Sequence, residues 1–158
     1  MPGGMNTDGI EELSRILDRL GVDAPEFASK ALYVGAGVVA DAYRNAVNEI
    51  KTGGRRHHSE PGGRLPTPAE KQALDGATGI ARFEGSGSEI STVVGIGDGY
   101  TTVNGRKKAT KMIARSINHG TSFMKKQPVF RKAGVTSKAP AQRAMIETVN
   151  ELMDKIIH

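Results

Sequence analysis

One run of residues in this chain resembles a metal-binding group, His-His-Ser-Glu at positions 57–60. A metal ion needs ligands that converge from a suitable spacing, and adjacent positions on a loop do not supply that geometry. No second group, such as an HExxH pattern, accompanies the run, and the chain contains no Cys. A solvated basic loop is the better interpretation, so the sequence predicts no metal site.

A second run that could do chemistry is Gly-Ile-Gly-Asp-Gly at positions 95–99. A dinucleotide loop needs a helix directly after the glycines, because the helix N-terminus receives the phosphate. The residues that follow, Tyr-Thr-Thr-Val-Asn-Gly, are typical of a strand and a turn. GxxxxGKS/T and GxSxG patterns are absent, and no nucleophile motif accompanies His119. We therefore predict a protein that is not an enzyme and has no cofactor.

Positive charge is concentrated in one segment. The chain has 22 Lys and Arg residues and a net charge of +5, and nine of these residues lie between positions 106 and 132, where there is no Asp or Glu. This segment is either a solvated basic face or a binding surface. If it meets DNA, it should contact phosphates, without sequence specificity and in a salt-sensitive way. The candidate contacts for DNA or a protein partner are Arg55, Arg56, Arg64, Arg106, Lys107, Lys108, Lys111, Arg115, Lys125 and Lys126.

Two helices are predicted in the N-terminal third. Apolar residues recur at helical spacing over positions 10–20, which predicts a short amphipathic helix. A longer apolar pattern begins at Pro25 and continues to position 50, which predicts a helix of more than twenty residues. Gly35 and Gly37 interrupt this pattern, so either another helix packs closely against them or the helix is kinked.

A polar segment separates these helices from the rest of the chain. Positions 52–68 hold glycines, prolines, arginines and histidines with almost no apolar residue, which predicts a flexible basic loop. At its end, Thr67 can cap a helix and Pro68 suits the first helical position, while Glu70 places a carboxylate near the positive helix end. A short helix through Leu74 is expected.

Strand patterns follow in the middle of the chain. Residues 80–84 and 90–96 predict an antiparallel hairpin, and 100–103 predicts a further strand before an Asn-Gly turn signal. The segment 108–118 fits either a helix or an extended segment, and its apolar spacing favours the helix.

The C-terminal part of the sequence predicts two helices. A short one opens at Pro128, and after Gly134 a second and clearer one begins at Pro140. Together these elements predict one α+β domain over 1–158, with N-terminal helices, a small antiparallel β-sheet with long basic and glycine-rich loops, and a C-terminal helix packed on the sheet. No segment is apolar enough for a leader or a membrane span, so we expect a soluble, unexported protein.

The segment 117–133 resembles a pattern of tail-completion or neck proteins of long-tailed bacteriophages, the group that includes minor tail protein Z of lambda-like phages. In that pattern a Gly-Thr pair is followed by a variable stretch and then by Pro-Phe-Arg/Lys-x-Ala before a helix. The residues that match are Gly120, Thr121, Pro128, Phe130, Arg131 and Ala133, with one residue inserted after the proline. At 118–119, Asn-His stands where the family often has an aromatic residue and a carboxylate.

The resemblance implies a structural virion protein at the head-proximal end of the tail, which completes the tail and joins it to the head. It implies a homo-oligomeric ring, with a hexamer favoured, and contacts with tail-terminator, tail-tube and head-completion proteins. It also allows non-specific contact with genomic DNA in the lumen, and it implies assembly in the host cytoplasm. The alternative is a small basic nucleic-acid-binding protein, which the sequence pI near 9.6 and the basic segment motivate.

Overall fold

The computed structural model describes residues 24–53, 63–85, 90–103 and 105–157. The predicted helix at 10–20, the larger part of the 52–68 loop with Arg55 and Arg56, and the His-His-Ser-Glu run lie outside the described residues. Within the described part the elements are, in chain order, α1 (Ala24–Glu49), α2 (Pro68–Ala77), β1 (Thr78–Ile80), β2 (Val94–Ile96), β3 (Tyr100–Val103), β4 (Arg106–Ala109), α3 (Thr110–His119) and α4 (Val129–Ile157).

Helix α1 confirms the predicted long helix, since it runs without interruption for 26 residues. A Cβ atom added to Gly35 would lie 2.7 Å from Met145 Cγ on α4, whereas one added to Gly37 would meet nothing within 4 Å. The close approach of α4 therefore accounts for the first glycine, and α1 continues through both positions. Lys71 Nζ donates to the carbonyls of Asn48 and Ile50 at 2.8 and 3.1 Å, which satisfies acceptors at the end of α1.

Helix α2 begins with the predicted cap. The Glu70 N–H donates to Thr67 Oγ1 at 3.2 Å, and the Thr67 hydroxyl donates to Glu70 Oε1 at 3.4 Å. Pro68 occupies the first turn, where its missing N–H costs nothing. The Thr78 hydroxyl donates to the Leu74 carbonyl at 2.9 Å, where α2 ends and β1 begins.

The strands form two separate antiparallel pairs within the described part of the chain. The first confirms the predicted hairpin: β1 pairs with β2, with Thr78 opposite Ile96, and a bridge between Glu84 and Ser91 extends it. In the second, β3 pairs with β4 around a turn that contains Gly105 at a φ of 75°. The expected strand at 100–103 is confirmed, but β4 was not predicted, and there are two small sheets where one was expected.

Helix α3 follows β4 without a loop and confirms the helical alternative for 108–118. The Thr110 hydroxyl donates to the carbonyls of Gly97 and Gly99 at 3.0 and 3.3 Å and so fixes the start of α3 against the turn before β3. Ile113 and Ile117 are buried on its inner face.

Helix α4 corrects the prediction of two C-terminal helices. It is one helix of 29 residues that passes through Gly134 and Pro140. Proline removes one helical hydrogen bond and crowds the preceding turn. Ala133, before Pro140, and Ala141, directly after it, are both buried, so the helix is packed on either side of the proline. Helix α4 lies along α1, in the most extensive contact between elements, rather than on a sheet as predicted.

The core forms where the end of α1, helices α2 and α3 and the start of α4 meet. Its buried residues are Ala46, Val47, Ile50, Leu74, Ile113, Ala114, Ile117, Met124, Phe130 and Ala133. The α+β class is confirmed. None of the helices in the described residues combines the length and the apolar character needed to cross a membrane.

Candidate functional site

Residues 117–133, here called the junction, include the end of α3, the connection at 120–128 and the start of α4, and they contain every residue of the family-like pattern. Gly120 ends α3 with φ 75° and ψ 158°, and its N–H donates to the Ser116 carbonyl at 2.8 Å. A Cβ atom at this position would lie 2.9 Å from Lys126 Cβ. Both the positive φ and the close approach require glycine.

Thr121 organises the turn that follows. Its Oγ1 accepts from the backbone N–H groups of Phe123 and Met124 at 3.2 and 2.9 Å, and its own N–H donates to the Met124 carbonyl at 2.9 Å. This is a local side-chain to backbone turn of the kind that Thr favours. It buries the Met124 side chain in the core and leaves Phe123 77% exposed.

The junction is also joined to the segment before α2. The Arg64 N–H donates to the Phe123 carbonyl at 2.8 Å, and the Lys125 N–H donates to the Arg64 carbonyl at 2.9 Å. The Arg64 guanidinium lies 2.9 Å from Glu70 Oε1, and the Glu70 side chain is only 1% exposed. Arg64, a predicted DNA or partner contact, therefore has its charge engaged inside the fold.

Two polar residues of the junction have roles that the sequence did not reveal. Asn118 Oδ1 accepts from the Arg131 N–H at 3.1 Å at the start of α4. Gln127 pairs with the Lys51 backbone through both ends of its amide, accepting at 2.9 Å and donating at 3.1 Å. Gln127 and Lys51 are 76 residues apart, so no local pattern could have indicated this pair.

The apolar residues of the family-like pattern belong to the core. Phe130 is buried and stacks on Tyr43 of α1, with ring centroids 5.7 Å apart and an interplanar angle of 26°. Ala133 is buried one turn later, whereas Pro128 and Arg131 are exposed. The pattern residues thus shape and pack a chain reversal between two helices.

Comparison of the chain with family models, with curated proteins and with solved structures finds no match. The resemblance of the junction to phage tail-completion proteins therefore stays a prediction that rests on its residues.

Some of the predicted basic contacts interact with other residues of the chain, and the others have side chains exposed to solvent. Lys107 Nζ lies 4.6 Å from the centre of the Tyr100 ring, and Lys111 Nζ lies 2.6 Å from Asp98 Oδ1. Lys108 is half-buried. The remaining predicted contacts in the described ranges, apart from Arg64, have exposed side chains: Arg106, Arg115, Lys125 and Lys126. Such a surface can attract phosphates or carboxylates.

A shallow cleft opens where α1, α3 and α4 meet. Its volume is about 160 Å³, and the residues that line it are Tyr43, Ile96, Ala114, Arg115, Asn118, His119 and Phe130. The Tyr43 and Phe130 rings provide an apolar wall, and Arg115 provides a positive charge. Within the described residues, no three His, Cys, Asp or Glu side chains are grouped to hold a metal ion.

Proposed function

We propose that this chain is a non-enzymatic structural subunit that completes the head-proximal end of a long-tailed phage tail and joins it to the head as a ring. The junction carries the proposal. Gly120 and Thr121 shape a chain reversal, and Phe130 anchors it in the core. Structural subunits of one family would be expected to share residues that shape and pack the fold, and not residues that react.

Exposed apolar side chains favour assembly with other subunits. Large apolar residues stay more than half exposed on four of the described elements and in the segments between them, and a partner subunit would cover them. They are Tyr33, Val93, Tyr100, Met112, Phe123, Val135 and Ile146.

The proposed place of action is the virion neck, after assembly in the host cytoplasm. The proposed partners are copies of the chain itself, the tail-terminator and tail-tube proteins, and the head-completion protein. Exposed basic residues such as Arg106 and Lys126 support non-specific contact with genomic DNA if they face the lumen.

The direct test is to size the purified chain alone and mixed with tail tubes and terminator subunits, by light scattering and electron microscopy. Rings, or particles that cap one end of the tubes, are expected. A basic protein of similar size and pI serves as the control, since charge alone should not cap one end. A chain that stays monomeric and ignores tails would rule out the proposal.

The exposed basic side chains also favour a second candidate, a small nucleic-acid-binding protein. This candidate differs in what the isolated monomer does, because it requires strong, salt-dependent DNA binding without partner subunits. The tail-completion proposal instead requires other subunits for activity, and the monomer should bind DNA weakly.

A further inference from the structure

We infer that copies of this chain contact one another through a knob on α4 of one copy, formed by Ile146 and Glu147, which enters the cleft between α1, α3 and α4 of the next copy. This inference rests on the proposal that the chain works as an assembled subunit, and it specifies the surface between copies.

The cleft can receive one apolar side chain next to a carboxylate. The cleft is shallow, with a volume of about 160 Å³, so it can receive the tip of one side chain against its wall. The half-buried Tyr43 ring, which stacks on the buried Phe130, offers the apolar part of its wall. Arg115 lies at the cleft and forms no ion pair within the described part of the chain, so its guanidinium is available to an incoming carboxylate.

The knob has the complementary chemistry. Ile146 is 59% exposed on α4, so its apolar surface has little cover within its own chain. Glu147, Glu151 and Asp154 follow at a spacing of four and three residues, which places them on one exposed face of the helix. None of these three carboxylates forms an ion pair with another described residue. An exposed isoleucine beside a carboxylate matches an aromatic wall beside an arginine.

A chain cannot place its own knob in its own cleft. Ile146 and the cleft residue Phe130 belong to the same helix and are separated by about 24 Å at the helical rise per residue. The knob that matches this cleft is therefore supplied by a second copy, whose Glu147 carries the charge opposite to that of Arg115. Because knob and cleft are different surfaces, the contact is heterologous, and repeating it produces a ring or a filament.

Charge exchange tests the pairing directly. Arg115→Glu and Glu147→Arg should each weaken self-association about tenfold or more, measured by sedimentation over a concentration series. The double variant carries both charges reversed and should recover most of the loss. Arg82→Glu, an exposed charge reversal outside both surfaces, is the matched control and should associate like wild type. Single variants that associate normally, or a double variant weaker than both, would overturn the inference.

A mixing experiment tests whether the contact is heterologous. Arg115→Glu blocks the cleft but keeps the knob, and Ile146→Asp blocks the knob but keeps the cleft. Each variant alone should be monomeric, and an equimolar mixture should form a 1:1 dimer and nothing larger. Lys138→Asp, which places the same new residue at an exposed position elsewhere on α4, should leave assembly unchanged.

The outcomes separate this inference from the proposal on which it rests. A wild-type chain that forms rings or caps tails while both blocked variants do the same would overturn the knob-and-cleft contact and leave the tail-completion proposal intact. A wild-type chain that stays monomeric at all concentrations, with or without tails, would overturn both.

Discussion

Three glycines of this chain differ in backbone conformation or in what an added methyl group would meet. Gly76 lies in α2, and its added Cβ atom would meet nothing within 4 Å. Gly105 has equally open space but a φ of 75°. Gly120 combines the same φ with the contact to Lys126 at 2.9 Å. At the scale of single residues, these positions separate helix propensity, backbone strain and close packing.

Alanine substitutions at these glycines should give a graded series of stabilities. Gly76→Ala should raise the free energy of unfolding by up to about 0.5 kcal/mol, because alanine favours the helix and Gly76 lies in the last turn of α2. Gly105→Ala should lower it by about 1–2 kcal/mol through the left-handed backbone. Gly120→Ala should cost about 2–4 kcal/mol, since the contact adds to the strain. Urea unfolding measures all three, and equal costs at 105 and 120 would mean that the Lys126 contact relaxes freely.

The pair of Arg64 and Glu70 is the one ion pair in the described residues that includes a fully buried side chain. Arg64→Met leaves the Glu70 carboxylate buried without its partner and should lower the free energy of unfolding by about 2–3 kcal/mol, reduced by the partial exposure of Arg64. Adding Glu70→Gln should recover part of this loss, because the uncompensated charge is removed.

The control for this pair is Arg44→Met, which breaks the exposed pair with Asp41 and should change stability by about 0–1 kcal/mol. Chemical unfolding of the single and double variants gives the coupling between positions 64 and 70. If the double variant loses as much stability as the two single variants together, the pair contributes no specific stability.

At the scale of elements, local signals predicted the parts of the fold that local interactions determine. The apolar period of α1 and the cap and proline at Thr67 and Pro68 each indicated a helix that the structure contains. The hairpin of β1 and β2 was predicted because strand formers flank a glycine-rich turn. These predictions required no knowledge of distant residues.

The elements that sequence reasoning missed depend on tertiary contacts. Strand β4 begins with Arg106, Lys107 and Lys108, which show no apolar alternation, and pairing with β3 makes it a strand. The amide of Gln127 finds the Lys51 backbone only after the chain has folded. For the candidate site, the chain reversal at Gly120 and the burial of Phe130 were predictable, but the cleft was not, because three elements form it.

Helix α4 provides a prediction at this scale, since proline interrupts its hydrogen bonding in the middle. Pro140→Ala should raise the free energy of unfolding by about 1–2 kcal/mol, because it restores a helical donor, offset in part by greater freedom of the unfolded chain. Pro128→Ala is the control, because Pro128 lies just before the helix, and it should give no gain. A loss of stability in Pro140→Ala, measured by urea unfolding, would mean that a separate helix begins at Pro140, as the sequence predicts.

At the scale of the whole molecule, charge is distributed unequally. The basic residues of 106–132 lie on β4, α3 and the junction, whereas Glu147, Glu151 and Asp154 lie near the far end of α4. A subunit with opposite charges on different surfaces can orient its neighbours during assembly. The same basic surface can also attract DNA, so the strength of DNA binding separates the two candidate functions.

We expect the isolated chain to bind double-stranded DNA only weakly, with a dissociation constant on the order of 10⁻⁴ to 10⁻⁶ M at physiological salt, as for non-specific contacts. The logarithm of the affinity should fall linearly as the logarithm of the salt concentration rises. Each phosphate contact removed should reduce this slope by about 0.9. Replacing Lys125 and Lys126 with Gln should therefore flatten the slope, because both side chains are exposed in the junction.

Lys155→Gln is the matched control, since it removes the same charge from the acidic end of α4 and should leave the slope unchanged. Fluorescence anisotropy over a salt series measures all of these variants. Binding of the monomer that is 10³-fold or more tighter than the non-specific range, on the order of specific protein–DNA complexes, would contradict the assembly proposal and favour the nucleic-acid-binding alternative. Weak binding with the expected slope fits a subunit whose basic surface faces passing DNA, because a lining with high affinity would hold the genome back during ejection.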